Sequence, residues 1–145
     1  MAEKRATAVW TGNLTEGSGV VSSESGVLVN QALTWKVRTG ASEGKTSPEE
    51  LIAAAHASCF SMAFTYELQN AGFTAEKLEV TSVVTFGPKP EGGMKIHSSA
   101  LTLVGTVPGI SAEQFAEIAA GAKVGCPVSA ALTGNVEITL DATLV

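Results

Sequence analysis

Three features of the 145-residue chain predict an α+β fold whose sheets are mostly antiparallel. Strand-like segments come first, then one long helical run, two strands, a helix and a last strand, an order that segregates strands from helices. The helical run is apolar nearly all round, which places it at the centre of the fold with other elements around it. No repeat, low-complexity tract or Pro/Ser-rich linker divides the chain, so a single domain over residues 1–145 is expected.

The elements follow in order. Residues 6–11 are β-prone and end at Gly12-Asn13. Residues 19–23 and 27–30 flank Glu24-Ser25-Gly26, a hairpin signal. Leu33, Trp35 and Val37 alternate with Thr34, Lys36 and Arg38, the period of a half-buried strand, which puts Arg38 on its more polar face. A Gly/Ser-rich loop leads to Ser47-Pro48-Glu49-Glu50. Ser47 suits an N-cap, Pro48 the first helical position, and Glu50 the return arm of a capping box. The helix is expected to reach about Asn70, with Gly72 as its stop. Residues 78–86 and 95–107 read as two long strands, and Ser111-Ala112-Glu113-Gln114 as a second capping box. A short helix starts at Cys126-Pro127, and residues 136–144 form the last strand.

The formal net charge of −5 argues against nucleic-acid binding and against docking on an anionic membrane. No apolar leader follows Met1, and the apolar run 51–64 is shorter than the roughly 18 residues of a membrane span. A cytoplasmic protein is expected. In that compartment two cysteines either pair transiently as a redox couple or are unrelated core thiols.

Cys126, before Pro127, is expected at a helix N-terminus, where unpaired N–H groups stabilise a thiolate. Cys59 lies about three turns into the long helix, where burial raises its pKa, so as a nucleophile it needs a cation. Arg38 and His56 are the candidates. His56 shares the face of Cys59 at i−3, although a lone histidine on an apolar helix commonly belongs to a hydrogen-bonded core. Arg38 carries a permanent charge and a planar fork able to hold both a thiolate and a carboxylate. Glu49, one position before the capping glutamate, is placed to orient such an arginine. It precedes Cys59 by about 15 Å of helix, which points to a site near a dimer interface.

The segment from Thr46 to Ala63, TSPEELIAAAHASCFSMA, closely resembles the signature of the OsmC/Ohr family, the osmotically inducible protein and organic hydroperoxide resistance group. So does Ala122–Ser129, AKVGCPVS, while residues 22–28 and 107–110 resemble the OsmC branch in particular. The resemblance implies an OsmC-like α+β fold built as an intertwined homodimer, with the buried helices at its centre and two sites near the subunit interface. It makes Cys59 the peroxidatic thiol and Cys126 the thiol that resolves its sulfenic acid as a disulfide. Glu49 falls on the family's glutamate and Arg38 on its thiolate-activating arginine. It implies no metal or other cofactor, organic hydroperoxides as substrates in oxidative or osmotic stress defence, and re-reduction by a dithiol such as a lipoylated protein.

Rival readings are a Cys-His acyl hydrolase built on Cys59 and His56, and a zinc site of Cys59, Cys126, His56 and His97. A third is a non-catalytic stress or ligand-binding dimer.

Overall fold

The computed structural model describes all residues, Met1–Val145. They form two compact units, residues 1–51 and 52–145.

In the first unit, β1 (Ala6–Thr11), β2 (Ser18–Ser23) and β3 (Gln31–Leu33) make an antiparallel sheet in chain order. The strand expected over residues 33–38 is instead the end of β3 followed by a helical turn, α1 (Trp35–Thr39). The reason is local. Thr34 is extended and its hydroxyl accepts the Val37 N–H at 3.2 Å, so it caps the turn and overrides the alternating pattern. The segment 27–30, expected as a strand, is an irregular, bent loop. It is tied back through Leu28 O, which accepts the Ser23 N–H, and through Ser22 and Ser23 hydroxyls that accept the Asn30 and Leu28 N–H groups.

The long helix α2 (Pro48–Asn70) begins where its cap signals place it. Ser47 Oγ accepts the Glu50 N–H at 3.1 Å. The Glu50 carboxylate, expected to complete the capping box, takes the Thr46 hydroxyl at 2.8 Å instead.

In the second unit, β4 (Lys77–Pro88), β5 (Met94–Thr106) and β6 (Glu137–Leu144) form a sheet with β5 in the middle. β4 pairs antiparallel with β5, and β6 pairs parallel after the crossover through α3 (Ala112–Gly125) and α4 (Pro127–Leu132). The capping box at Ser111 and Gln114 forms in full. Along β4, Leu78, Val80, Val84 and Phe86 are half-buried, while Lys77, Glu79, Thr81, Val83 and Thr85 are exposed. That is the alternation of a sheet with one covered face.

His56, Phe60, Phe64 and Leu68 recur every fourth residue and bury one side of α2. Phe60, Phe64 and Leu68 join Leu101 and Leu103 of β5 and Phe115, Ala119 and Ala122 of α3 in one cluster. Phe64 meets Phe115 edge-on, ring centroids 5.0 Å apart. The helix was expected to be enclosed, but within the chain its other side is open. Ala54, Ala55, Ser58, Met62, Thr65 and Tyr66 are exposed, Met62 by 66% and Tyr66 by 63%.

Gly105 in β5 lets α3 approach the sheet. A Cβ there would lie 2.8 Å from two atoms of the Phe115 ring and 3.0 Å from Leu78 Cδ2. The ring is clamped against Phe64 and cannot retreat without opening the core. Gly105→Ala will therefore destabilise the protein by about 1–3 kcal/mol through overpacking. Chemical denaturation will show a lower midpoint at unchanged slope, and an unchanged midpoint would contradict this.

Candidate active site

The sequence-derived site residues meet as two pairs, each within its own unit. In the first unit, α1 and the start of α2 bring Arg38 to Glu49. Arg38 Nε donates to both carboxylate oxygens, at 3.1 and 3.2 Å, and Nη2 donates to Oε1 at 2.9 Å. This two-toothed clasp holds the guanidinium plane in one orientation. Glu49 is buried, with its side chain 8% exposed against 34% for Arg38. Because α1 is helical, Arg38 also stands one turn after Trp35, and its Cζ lies 5.9 Å from that ring's centroid. Arg38 lines a cavity of about 280 Å³ with Trp10, Leu14, Leu33, Trp35 and Pro48, an apolar chamber with a cationic wall.

In the second unit the two thiols are free and in hydrogen-bond contact. Cys59 is half-buried on α2, and Cys126 is fully buried. Cys126 is both the last cap of α3 and the N-cap of α4, with Pro127 in the first helical position. Their acidities diverge. Burial pushes the Cys59 thiol up, and the N–H of Val128 only partly offsets it. Burial also opposes ionisation of Cys126. There the N–H groups of Ser129 and Val128, the Cys59 thiol and the Ser129 hydroxyl together outweigh it and hold the thiol below its ordinary value.

His56 does not face either thiol directly through its ring nitrogens. Nδ1 lies 2.6 Å from Ser99 Oγ and Nε2 2.9 Å from Ser129 Oγ. With both nitrogens held by serines, the direct Cys59–His56 pair required of an acyl hydrolase is not formed. Its burial lowers the pKa and favours the neutral ring. His97, included in the zinc reading, binds the Pro88 carbonyl through Nε2 at 3.1 Å. No group of three or more His, Cys, Asp and Glu residues is gathered that could hold a metal ion.

Trp35, Ser99 and Ser129 were not singled out from sequence. Ser129 had a readable signal, since it follows Cys126 by three residues at the start of a helix and so shares its face. Trp35 precedes Arg38 by the same spacing, a signal hidden by reading that segment as a strand. Ser99, on β5, had no local signal.

With Cys126 held by local N–H groups and Ser129, and with a hydroxyl donor kept where the Cys59 thiol stood, the Cys59→Ser protein will form the Cys126 thiolate below the ordinary thiol value of about 8.5. A cysteine ¹³Cβ titration reads this without needing access to the buried sulfur. A midpoint at or above the ordinary value would contradict the geometry.

Known proteins resemble the chain along nearly its whole length. The family model for OsmC-like protein matches residues 40–141. Peroxiredoxin OsmC of Escherichia coli (strain K12) is 46% identical over 138 residues, 95% of this chain and 94% of that protein. Organic hydroperoxide resistance protein OhrA of Bacillus subtilis (strain 168) is 28% identical over 122 residues, 84% of each. The crystal structure of an organic hydroperoxide resistance protein from Elizabethkingia anophelis, with thiocyanate bound, has a TM-score of 0.78 at 28% identity. It covers 100% of this chain and 98% of its own. No helix of the chain is long and apolar enough to cross a membrane.

Proposed function

The chain belongs to the OsmC-like protein family, and on that premise we propose that it is a thiol peroxidase that reduces organic hydroperoxides through Cys59 and Cys126. The observation that carries this reading is the contact between the two sulfurs, one on α2 and one at the α3–α4 junction. The Cys59 thiolate attacks the distal peroxide oxygen, and the O–O bond breaks. Its electron pair leaves with the alkoxide, which takes a proton and departs as an alcohol. Cys59 is left as a sulfenic acid, oxidised by two electrons. The Cys126 thiolate then attacks that sulfur, the S–S bond forms, and hydroxide leaves to become water. An external dithiol, such as a lipoylated protein, reduces the disulfide.

The acidities set a requirement on this sequence of events. Left to burial and local N–H donors, the negative charge of the pair settles on Cys126, whereas the first step needs it on Cys59. A cation must reverse that order, and we assign the role to Arg38, oriented by Glu49. The clasp between them supports the assignment, because a fixed guanidinium stabilises charge without reorganising at the moment of reaction. The apolar chamber beside Arg38 supports an alkyl hydroperoxide over hydrogen peroxide.

Consumption of cumene hydroperoxide in the presence of dihydrolipoamide tests these roles. Cys59→Ser will abolish it. Cys126→Ser will react once and then stall or overoxidise, and Arg38→Met will slow the first step by roughly 10²-fold or more. Consumption by Cys59→Ser at the wild-type rate would refute Cys59 as the peroxidatic thiol, and a wild type no faster than buffer would favour a non-catalytic dimer.

The open side of α2 supports a homodimer as the working form. Its exposed Met62 and Tyr66 are large apolar groups on a continuous helix face. Sedimentation will give a mass of two 14.8 kDa chains for the wild type. Met62→Glu will shift it toward one chain, and a wild type that sediments as a monomer during turnover would overturn the reading.

A further inference from the structure

We propose that His56 is a positioning residue for the resolving thiol, because it forms the centre of a buried hydrogen-bond wire whose direction is set by the protonation of Cys126. This deepens the peroxidase reading and rests on Cys126 as the resolving thiol. The wire runs from β4 through β5 and α2 to α4. Ser82 Oγ lies 3.0 Å from Ser99 Oγ, and Ser99 Oγ lies 2.6 Å from His56 Nδ1. His56 Nε2 lies 2.9 Å from Ser129 Oγ, and the Ser129 hydroxyl reaches the Cys126 sulfur. His56 and Ser99 are wholly buried, and Ser129 is nearly so. Ser82, half-buried, is the less enclosed end.

Proton counting gives the wire its directions. Each serine hydroxyl has one hydrogen, and a neutral imidazole has one N–H. When Cys126 is a thiolate it can only accept, so Ser129 donates to it and His56 Nε2–H donates to Ser129. Nδ1 then accepts from Ser99, and Ser99 accepts from Ser82. When Cys126 carries its proton and donates to Ser129, every bond reverses. Ser129 donates to Nε2, and Nδ1–H donates to Ser99. The imidazole remains neutral in both states and only changes tautomer. No charge is placed on the buried ring, and one proton has shifted per bond along the chain. The orientation that delivers a hydroxyl donor to sulfur is the better one, since a thiol is a weak donor. The wire therefore favours the thiolate that attacks the sulfenic acid.

Few other titratable groups face these atoms within the unit. Cys59 contacts Cys126 from α2. On α3, the Lys123 ammonium donates an N–H to Ile138 O at 3.4 Å. Lys77 and Glu79 of β4 pair with each other in solvent, and Glu137 and Asp141 of β6 are exposed on the outward face.

The test uses the reduced full-length Cys59→Ser protein, so that Cys126 titrates alone. Imidazole ¹⁵N shifts report the His56 tautomer, and the cysteine ¹³Cβ shift reports Cys126. The expected result is a change from the Nδ1–H to the Nε2–H tautomer at the same midpoint as Cys126 ionisation, with no imidazolium formed. Adding Ser129→Ala will make the tautomer independent of pH and raise the Cys126 midpoint. Ser129→Thr, which keeps the hydroxyl, will restore both. A His56 tautomer that ignores Cys126 ionisation in the parent protein would overturn the proposal, as would an unmoved midpoint in Ser129→Ala. With Cys59 present, Ser129→Ala will slow disulfide formation at neutral pH about tenfold for each unit that the midpoint rises. Cys59 oxidation is followed separately in that assay. Its absence in the wild type refutes the peroxidase, whereas the shift experiment judges the wire without any peroxide.

Discussion

The attachment of one face of α2 to β5 and α3 is the constraint on which the second unit depends. His56, Phe60, Phe64 and Leu68 lie one above another on that face, and the aromatic contact of Phe64 with Phe115 fixes the azimuth of the helix. Cys59 precedes Phe60 by one residue, so its sulfur sits at the edge of the buried stripe, half covered. The crossover from β5 to β6 carries the α3–α4 junction to the same edge. A rotation of α2 by one residue would swing Cys59 through about 100° and part the two sulfurs. Hydrophobic packing thus sets the geometry of the proposed thiol reaction, and the placement of the two thiols is inherited from close-packed rings that tolerate little displacement.

Polar chemistry inside this core is tolerable because it is fully partnered. Every buried side-chain nitrogen and oxygen has a hydrogen-bond partner. The imidazole of His56 would be costly in such a place if either nitrogen were orphaned. Serines at both ends remove that cost and make the ring part of the architecture. The same satisfaction leaves it no free lone pair to act as a general base toward Cys59, and this separates the arrangement from a Cys-His hydrolase.

Charge is handled differently in the two units. Glu49 is nearly buried and owes its tolerable burial to a guanidinium gripped at three hydrogen bonds. An arginine with its carboxylate neutralised remains a directional donor, and with Trp35 behind it the group is held from two sides. The thiols carry no such ionic partner in their own unit and rely on N–H groups and hydroxyls. One unit thus holds a permanent charge on Arg38, and the other holds two ionisable sulfurs.

The local features were legible in the sequence because their causes are local. Ser47-Pro48 opens α2, Ser111 and Gln114 close a capping box, Pro127 places Cys126 at the start of α4, and the alternation along β4 marks its covered face. Each follows from steric and hydrogen-bonding preferences within about four residues. Where two local signals competed, as at Leu33–Arg38, the Thr34 cap prevailed over the alternating pattern and moved Arg38 from a strand to a helix. Only the tertiary structure decided what meets across the chain. Ser99 and Ser129 converge on His56 from 43 and 73 residues away, and Arg38 reaches Glu49 across a loop. Helix and strand periods state which side of an element is apolar, but not which surface will cover it. That choice is made by the summed packing of all elements at once, so the partners of a buried polar group are written in the fold rather than in its neighbouring residues.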